Sequence, residues 1–234
     1  MFRWIFVFLL VVIIEVYAFQ AFRTLTKVRS YQFIYIILNL VIIIYIINGF
    51  FHFDRSVGQT KQTLFTVGLL LLVSVPKILI TFVLIGEDIF RILSGMLTRF
   101  LGDNDYGSFL PERRKFVSQV AYGIAAIPFL SFLYGITKGK YNFKVIKQTL
   151  SFPDLPDNFD GFTFAQISDI HSGSFDNPEK IQYAVDLINK QDFDLLLSTG
   201  DIINSDATEM HPWIDTFKGL KNPTFGKYSI LGNH

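Results

Sequence analysis

Residues 164–174 read FAQISDIHSGS, residues 195–204 read LLLSTGDIIN, and residues 230–234 read ILGNH. Each begins as an apolar, strand-like run and ends in side chains suited to holding a metal: Asp169 and His171, then Asp201, then Asn233 and His234. Asp169 and Asp201 are 32 residues apart, and so are Asp201 and Asn233. That interval fits one strand, one crossover helix and the next strand. The three motifs are therefore expected to end neighbouring parallel strands at one edge of a sheet, where open α/β sheets hold their ligands.

The segments between them support this. Asn177-Pro178-Glu179 is a helix start, with Asn as cap and Pro in the first turn. Ile181, Val185 and Ile188 then form one apolar stripe that should cover the sheet. Phe193–Thr199 reads as a buried strand and Gly226–Leu231 as the next. Between those two, Met210, Trp213, Phe217 and Leu220 predict a second helix with Pro212 in its first turn. Upstream, residues 137–160 begin with spaced lysines, carry an alternating run at Phe143–Phe152 that predicts a strand, and end in the turn-rich SFPDLPDNFDG.

Further toward the N-terminus the composition changes. The 234 residues are 50% hydrophobic and 18% charged, and the apolar excess sits before residue 137. Trp4–Phe22, Tyr31–Phe53, Leu64–Ile85 and Phe116–Ile136 are each long enough to cross a bilayer core of about 30 Å. A cleaved signal peptide competes for the first run. Its length exceeds a signal core and no small-x-small cleavage pattern follows, so an uncleaved span is the expectation. Past Gly86, Ile89, Leu93, Met96, Leu97 and Phe100 recur at helical spacing. This segment reads either as an amphipathic helix lying in the interface or as a continuation of the third span.

Two ionisable residues fall inside these spans, where a charge costs at least about 2.5 kcal/mol. Glu15 lies 11 residues past Trp4 and Lys77 lies 13 past Leu64, in spans that run the same way. They are expected to meet at similar depth and neutralise one another; snorkelling of Lys77 with a protonated Glu15 is the alternative. The basic first loop RTLTKVRS (residues 23–30) and the cluster at Arg113, Arg114 and Lys115 favour a cytoplasmic side for those loops, which puts the soluble part outside the cytoplasm.

A net charge of +1 and the lack of a basic stripe with interleaved aromatics give no nucleic-acid surface. The absence of cysteine excludes disulfides and thiolate metal sites. Each metal-ligand motif alone could be a turn or a surface histidine; the three in order, each after an apolar strand, make a site. His211, at a helix start, and His52, at the end of the second span, take ordinary exposed or interfacial readings.

The ordered set SDIHSGS, TGDIIN and GKYSILGNH resembles the calcineurin-like metallophosphoesterase superfamily, in its bacterial membrane-bound form with N-terminal spans. The resemblance implies a bundle of four transmembrane helices (residues 1–137), a linker and first strand (138–160), and the first β-α-β-α-β half of an α/β metallophosphoesterase sandwich (161–234). It implies two divalent metals, with Mn, Fe and Zn not distinguished. Asp169 and His171 would bind one, Asp201 would bridge both, and Asn233 would bind the second. His234 would be catalytic, protonating the departing oxygen after hydroxide attack on phosphorus. The expected partners are the lipid bilayer and a phosphoester substrate of lipid or cell-envelope origin; oligomeric state is left open. The superfamily's later ligands, an acidic residue, a further histidine and a Gly-His-x-His motif, do not occur here, so a fragment with an incomplete metal site is expected. A non-catalytic membrane scaffold or sensor with a metal half-site is the rival reading. A small transporter built on Glu15 and Lys77 is a weaker third.

Overall fold

The structure, a computed structural model, describes residues 2–54, 60–100 and 111–233. It divides into two compact units, residues 1–51 with 66–137, and residues 52–65 with 138–234.

The first unit is built from four long helices: α1 (Phe2–Leu25), α2 (Arg29–Phe51), α3 (Lys61–Phe100) and α4 (Pro111–Thr137). All four are long and apolar enough to cross a membrane. Pro111 opens α4 at the position where a missing N–H costs nothing. Helix α3 continues unbroken through Pro76 and past Gly86 for 40 residues, about 60 Å. Of the two readings of residues 86–100, continuation is therefore the one that forms.

Lipid tails are as apolar as leucine, so the hydrophobic effect gives these helices little reason to associate, and close backbone approach must do so instead. Ala18 and Ala21 on α1 and Ala121 and Ala125 on α4 are buried, and Ala21, Ala121 and Ala125 share a core with Ile80 and Leu84 of α3. Thr24 donates to the buried Ser118 hydroxyl at 2.8 Å across the same contact.

Polar side chains complete the bundle. Lys77 donates to Glu15 at 2.6 Å and to Asn39 of α2 at 2.5 Å, while Asn39 itself donates to the Tyr35 carbonyl. The expected pair therefore forms, and a third helix joins it. Nearer the loops before α2 and α4, Arg114 donates to Glu87 at 3.0 Å, to Asp88 at 2.6 Å and to Gln20 at 3.1 Å. Tyr17 donates to the other Asp88 oxygen at 3.1 Å.

The second unit carries a three-stranded parallel sheet in the order β1 (Phe164–Ile167), β2 (Leu195–Ser198), β3 (Lys227–Ser229). Helix α5 (Pro178–Asn189) starts as the sequence indicates: the Asn177 side chain accepts from the Lys180 N–H at 3.0 Å. Ile181 and Val185 are its buried face. Val185 packs with Phe193, Leu196 and Leu220, flanked by Ala165, Ile167, Ile188 and Phe217, so the helices cover one face of the sheet. The register puts Phe164, Gln166, Leu197 and Tyr228 on the other face, where Phe164 and Tyr228 are exposed.

Two expected elements differ. Residues 207–213 form a 3₁₀ turn capped by Asp206, which accepts from the Thr208 N–H, and only α6 (Ile214–Lys218) is α-helical. Pro212 thus lies inside the 3₁₀ turn just ahead of α6 and not in the first turn of an α-helix. The strand expected over Phe143–Phe152, assigned to the linker as a first strand, does not form. That run has no paired neighbour among the described residues, and most of its side chains are exposed. Alternation alone cannot make a strand without a ladder partner. The residues after α4 are held instead by Lys140 and Tyr141, which donate to the two Asp176 oxygens at 2.5 and 2.6 Å; the Asp176 N–H returns a bond to the Tyr141 oxygen.

Two outcomes follow from these contacts. Lys77→Met and Glu15→Gln, each alone, should lower the yield of folded protein in membranes and its thermal midpoint in detergent, by an amount in keeping with about 3–5 kcal/mol for a broken buried pair. The double variant should recover part of that loss; a double variant no better than either single one would mean the residues act separately. Bonds from Lys140 and then Tyr141 hold the Asp176 carboxyl below the usual carboxylate range. Its contribution is therefore complete at neutral pH and lost as pH falls below about 4. Asp176→Ala should expose residues 142–156 to protease at pH 7, and acidification should do the same to the unaltered protein.

Candidate metal centre

Asp169 and His171 follow β1, and Asp201 follows β2. One ligand atom from each lies within 4.8 Å of the others. The His171 Nε2 stands 3.9 Å from Asp169 Oδ1, too far for a hydrogen bond and close enough for both to face one cation. The Asp169 side chain is two-thirds exposed and that of His171 one-third, so the cluster opens to solvent on one side.

The backbone explains how three residues from two loops converge. Asp169, His171 and Asp201 have φ of 52°, 47° and 52°, and they are the non-glycine residues with positive φ among those described. The left-handed region is uncommon for any side chain, and its occupation here costs on the order of 1–3 kcal/mol per residue. The cost is met by a continued ladder beyond the strands. The Asp169 N–H donates to the Gly200 carbonyl at 3.2 Å, that of His171 to Asp201 at 3.0 Å and that of Ser172 to Ile202 at 2.9 Å. Reversing the chain at each ligand turns its side chain out of the pleat and toward the sheet edge. The Ser168 hydroxyl, 2.6 Å from Asp169 Oδ2, fixes that carboxylate further.

Glycines make room for the third loop. Gly200 has φ of 106°, and a Cβ there would stand 2.5 Å from the Gly232 nitrogen. A Cβ on Gly232 would overlap the Asp201 carboxylate itself. The chain carrying Asn233 thus passes directly against Asp201, which only glycine at 232 permits. Asn233 follows as an exposed residue beyond β3, and His234 lies outside the described residues.

Sequence reasoning missed a second layer beneath the ligands. The Asn204 N–H donates to Glu209 at 2.6 Å, and the Asn204 amide donates to the Ser174 hydroxyl at 3.0 Å. The loop after Asp201 is thereby pinned to the loop after His171. Asn204, three residues past Asp201 in the same quoted run, was the available signal. The other two histidines remain apart from the cluster: His211 is exposed in the 3₁₀ turn and His52 is exposed just after α2.

Two oxygens and one imidazole nitrogen, with no sulfur, form a donor set that suits divalent Mn, Fe or Zn. Left-handed turns that aim all three inward and a glycine kept bare beside Asp201 fit a cation better than they fit a turn alone.

Comparison with known proteins places these features together. Residues 2–140 match the family described as "Probable Calcineurin-like phosphoesterase, transmembrane domain", and residues 162–234 match the calcineurin-like phosphoesterase family. An uncharacterized metallophosphoesterase of Bacillus subtilis, YkuE, is 37% identical over 81 residues, which is 34% of this chain and 28% of that protein. A transmembrane protein with metallophosphoesterase domain from Danio rerio is 26% identical over 102 residues, 44% of this chain and 23% of that one. An uncharacterized metallophosphoesterase of Helicobacter pylori is 25% identical over 131 residues, covering 54% and 33%. The matched part thus spans between about a quarter and a third of each relative's length. No solved structure matches the chain. With four membrane-spanning helices leading into strand ends that carry Asp-x-His and Gly-Asp, the chain belongs to the calcineurin-like phosphoesterases that bear a transmembrane domain.

Proposed function

We propose that the protein is a membrane-anchored phosphoester hydrolase whose metal centre is built on Asp169, His171, Asp201 and Asn233. The observation that carries this reading is the convergence of Asp169, His171 and Asp201 to within 4.8 Å at the ends of adjacent parallel strands. Divalent cations bound there supply charge neutralisation for the phosphoryl oxygens and a hydroxide at neutral pH. Asp169 and His171 would hold one cation. Asp201 would be a further carboxylate ligand, with two oxygens and a negative charge to offer to a second cation. Asn233 adds an amide oxygen without adding charge. His234 holds a proton on an imidazole nitrogen for the departing oxygen.

Residues 1–137 act as anchor, 138–160 as linker and 161–234 as part of the hydrolytic domain. The anchor favours a substrate that is itself at the membrane, a phosphoester on a lipid or envelope component. The basic first loop and the cluster at 113–115 favour a hydrolytic domain outside the cytoplasm.

The test is hydrolysis of an aryl phosphate by the native membrane protein, with and without added Mn²⁺. Activity should need the metal, and Asp201→Ala should reduce it by more than about 100-fold, beyond the loss typical of outer-shell partners. Metal-independent turnover, or an Asp201→Ala variant as active as the parent, would overturn the proposal. Gly232→Ala should also reduce activity and weaken metal binding measured by calorimetry, because its methyl group displaces the Asp201 carboxylate; a silent Gly232→Ala would show that the close approach is not needed.

A further inference from the structure

The ladder that joins the two ligand loops changes character after its third rung. Asp169, His171 and Ser172 donate from their backbone N–H groups to the carbonyls of Gly200, Asp201 and Ile202. Beyond Ser172 the chain enters a short 3₁₀ turn, and the carbonyls of His171 and Ser172 accept from the N–H groups of Ser174 and Phe175 at 2.8 and 3.1 Å. Those carbonyls are then engaged within their own loop. On the opposite loop Asn204 is only 4% exposed, and its backbone N–H needs an acceptor. The Glu209 side chain supplies it, with Oε2 at 2.6 Å from that nitrogen.

The same carboxyl group presses on the first loop. A Cβ built on Gly173 would stand 2.5, 2.6 and 3.1 Å from Glu209 Oε2, Cδ and Oε1, and these are the three nearest atoms it would meet. Gly173 is not one of the glycines with positive φ, so its backbone would admit a side chain. What forbids one is the carboxylate.

Glu209 is held at both ends of its 3₁₀ segment. Asp206 accepts from the Thr208 N–H at 2.8 Å and its hydroxyl at 2.5 Å, and the Glu209 N–H donates to the Asp206 carbonyl at 3.1 Å. At the far end the buried Trp213 meets Phe175 edge to face, with ring centroids 5.3 Å apart. The converging ligand group is Asp169, His171 and Asp201, without Glu209. One carboxylate thus touches the chain two residues after His171 and three residues after Asp201, from outside the ligand group.

We infer that Glu209 is a positioning residue for the metal centre: seated against Gly173 and bonded to the Asn204 N–H, its carboxylate sets the separation of His171 and Asp201 and so the affinity for a divalent cation. The inference rests on the metal-centre reading given above. The role calls for an acceptor oxygen of the right reach, which glutamine also provides, and not for a negative charge.

The test is Mn²⁺ binding to the native membrane protein in detergent, measured by calorimetry. Glu209→Ala should weaken binding by about 10–100-fold, as loss of an outer partner of a metal ligand does. Glu209→Gln should stay closer to the parent than to Glu209→Ala. Gly173→Ala should also weaken binding, because its methyl group displaces the carboxylate, and adding Glu209→Ala to it should cost nothing further once the clashing group is gone. Additive losses would show that the two residues act separately and would overturn the inference. Amide hydrogen exchange in the metal-free protein gives a second readout. Glu209→Ala should speed exchange over residues 171–174 and 201–204 and leave α5 as it is in the parent; uniform loosening of the whole unit would make Glu209 a general fold residue and overturn its positioning role. A Glu209→Ala variant that binds Mn²⁺ as the parent does would overturn this inference alone. A parent that binds no Mn²⁺ would overturn the metal centre, and this inference with it.

Discussion

An ammonium group inside the hydrocarbon layer has to find its partners within the protein, and Lys77 fixes the membrane unit through that requirement. Its bonds to Glu15 and Asn39 tie α1, α2 and α3 at one depth. About two to three turns further along α3, Glu87 and Asp88 meet Arg114 and bring in α4. Between these two layers the packing is made by Ile80 and Leu84 against small alanines. Because the polar contacts fix the rotation of α3 about its own axis, they also decide which side chains face outward. Phe82, on the side away from Lys77, is exposed as a result.

The second unit solves a different problem with backbone and not charge. Parallel strands deliver their C-terminal ends to one edge, but a strand continuing in its pleat would alternate its side chains above and below the sheet. The left-handed residues at 169, 171 and 201 break that alternation, and these three side chains converge at the edge. Helix α5 and α6, by contrast, do ordinary work: they bury Val185, Phe193, Leu196 and Leu220 and hold the strands in register.

Much of this was legible in the sequence, and the reasons for the exceptions are physical. Spans of apolar residues follow from the thickness of a bilayer, so all four helices could be read directly. The strands could be placed because apolar runs and crossover spacing constrain each other, and the Glu15–Lys77 pair because helical rise converts residue counts into depth. Asn39 could not be read in this way: an amide in a span can bond a carbonyl of its own helix, as Asn39 does at Tyr35, so nothing in its type pointed to Lys77. The run at Phe143–Phe152 was misread because alternation records the face a strand would bury and carries no information about whether a neighbour exists to pair with. Pro212 was placed by its preference for first turns, yet a 3₁₀ segment accepts it equally well. At the site, Asp169, His171 and Asp201 were legible as ligand types, whereas their left-handed backbones and the bare Cα of Gly232 emerge only when three loops are brought together.

The ladder that continues past the strand ends bears on how a cation would be received. Hydrogen bonds from Asp169, His171 and Ser172 to Gly200, Asp201 and Ile202 join the two ligand loops with protein atoms alone. The entropy of ordering those loops is therefore surrendered during folding, and arrival of an ion leaves little of it to lose. A cation bound there would meet a receptor already held by protein bonds, in contrast to a small zinc domain that folds around its metal. Exchange of one divalent ion for another would then be governed by ligand chemistry and supply, with the loops keeping their course while the occupant changes.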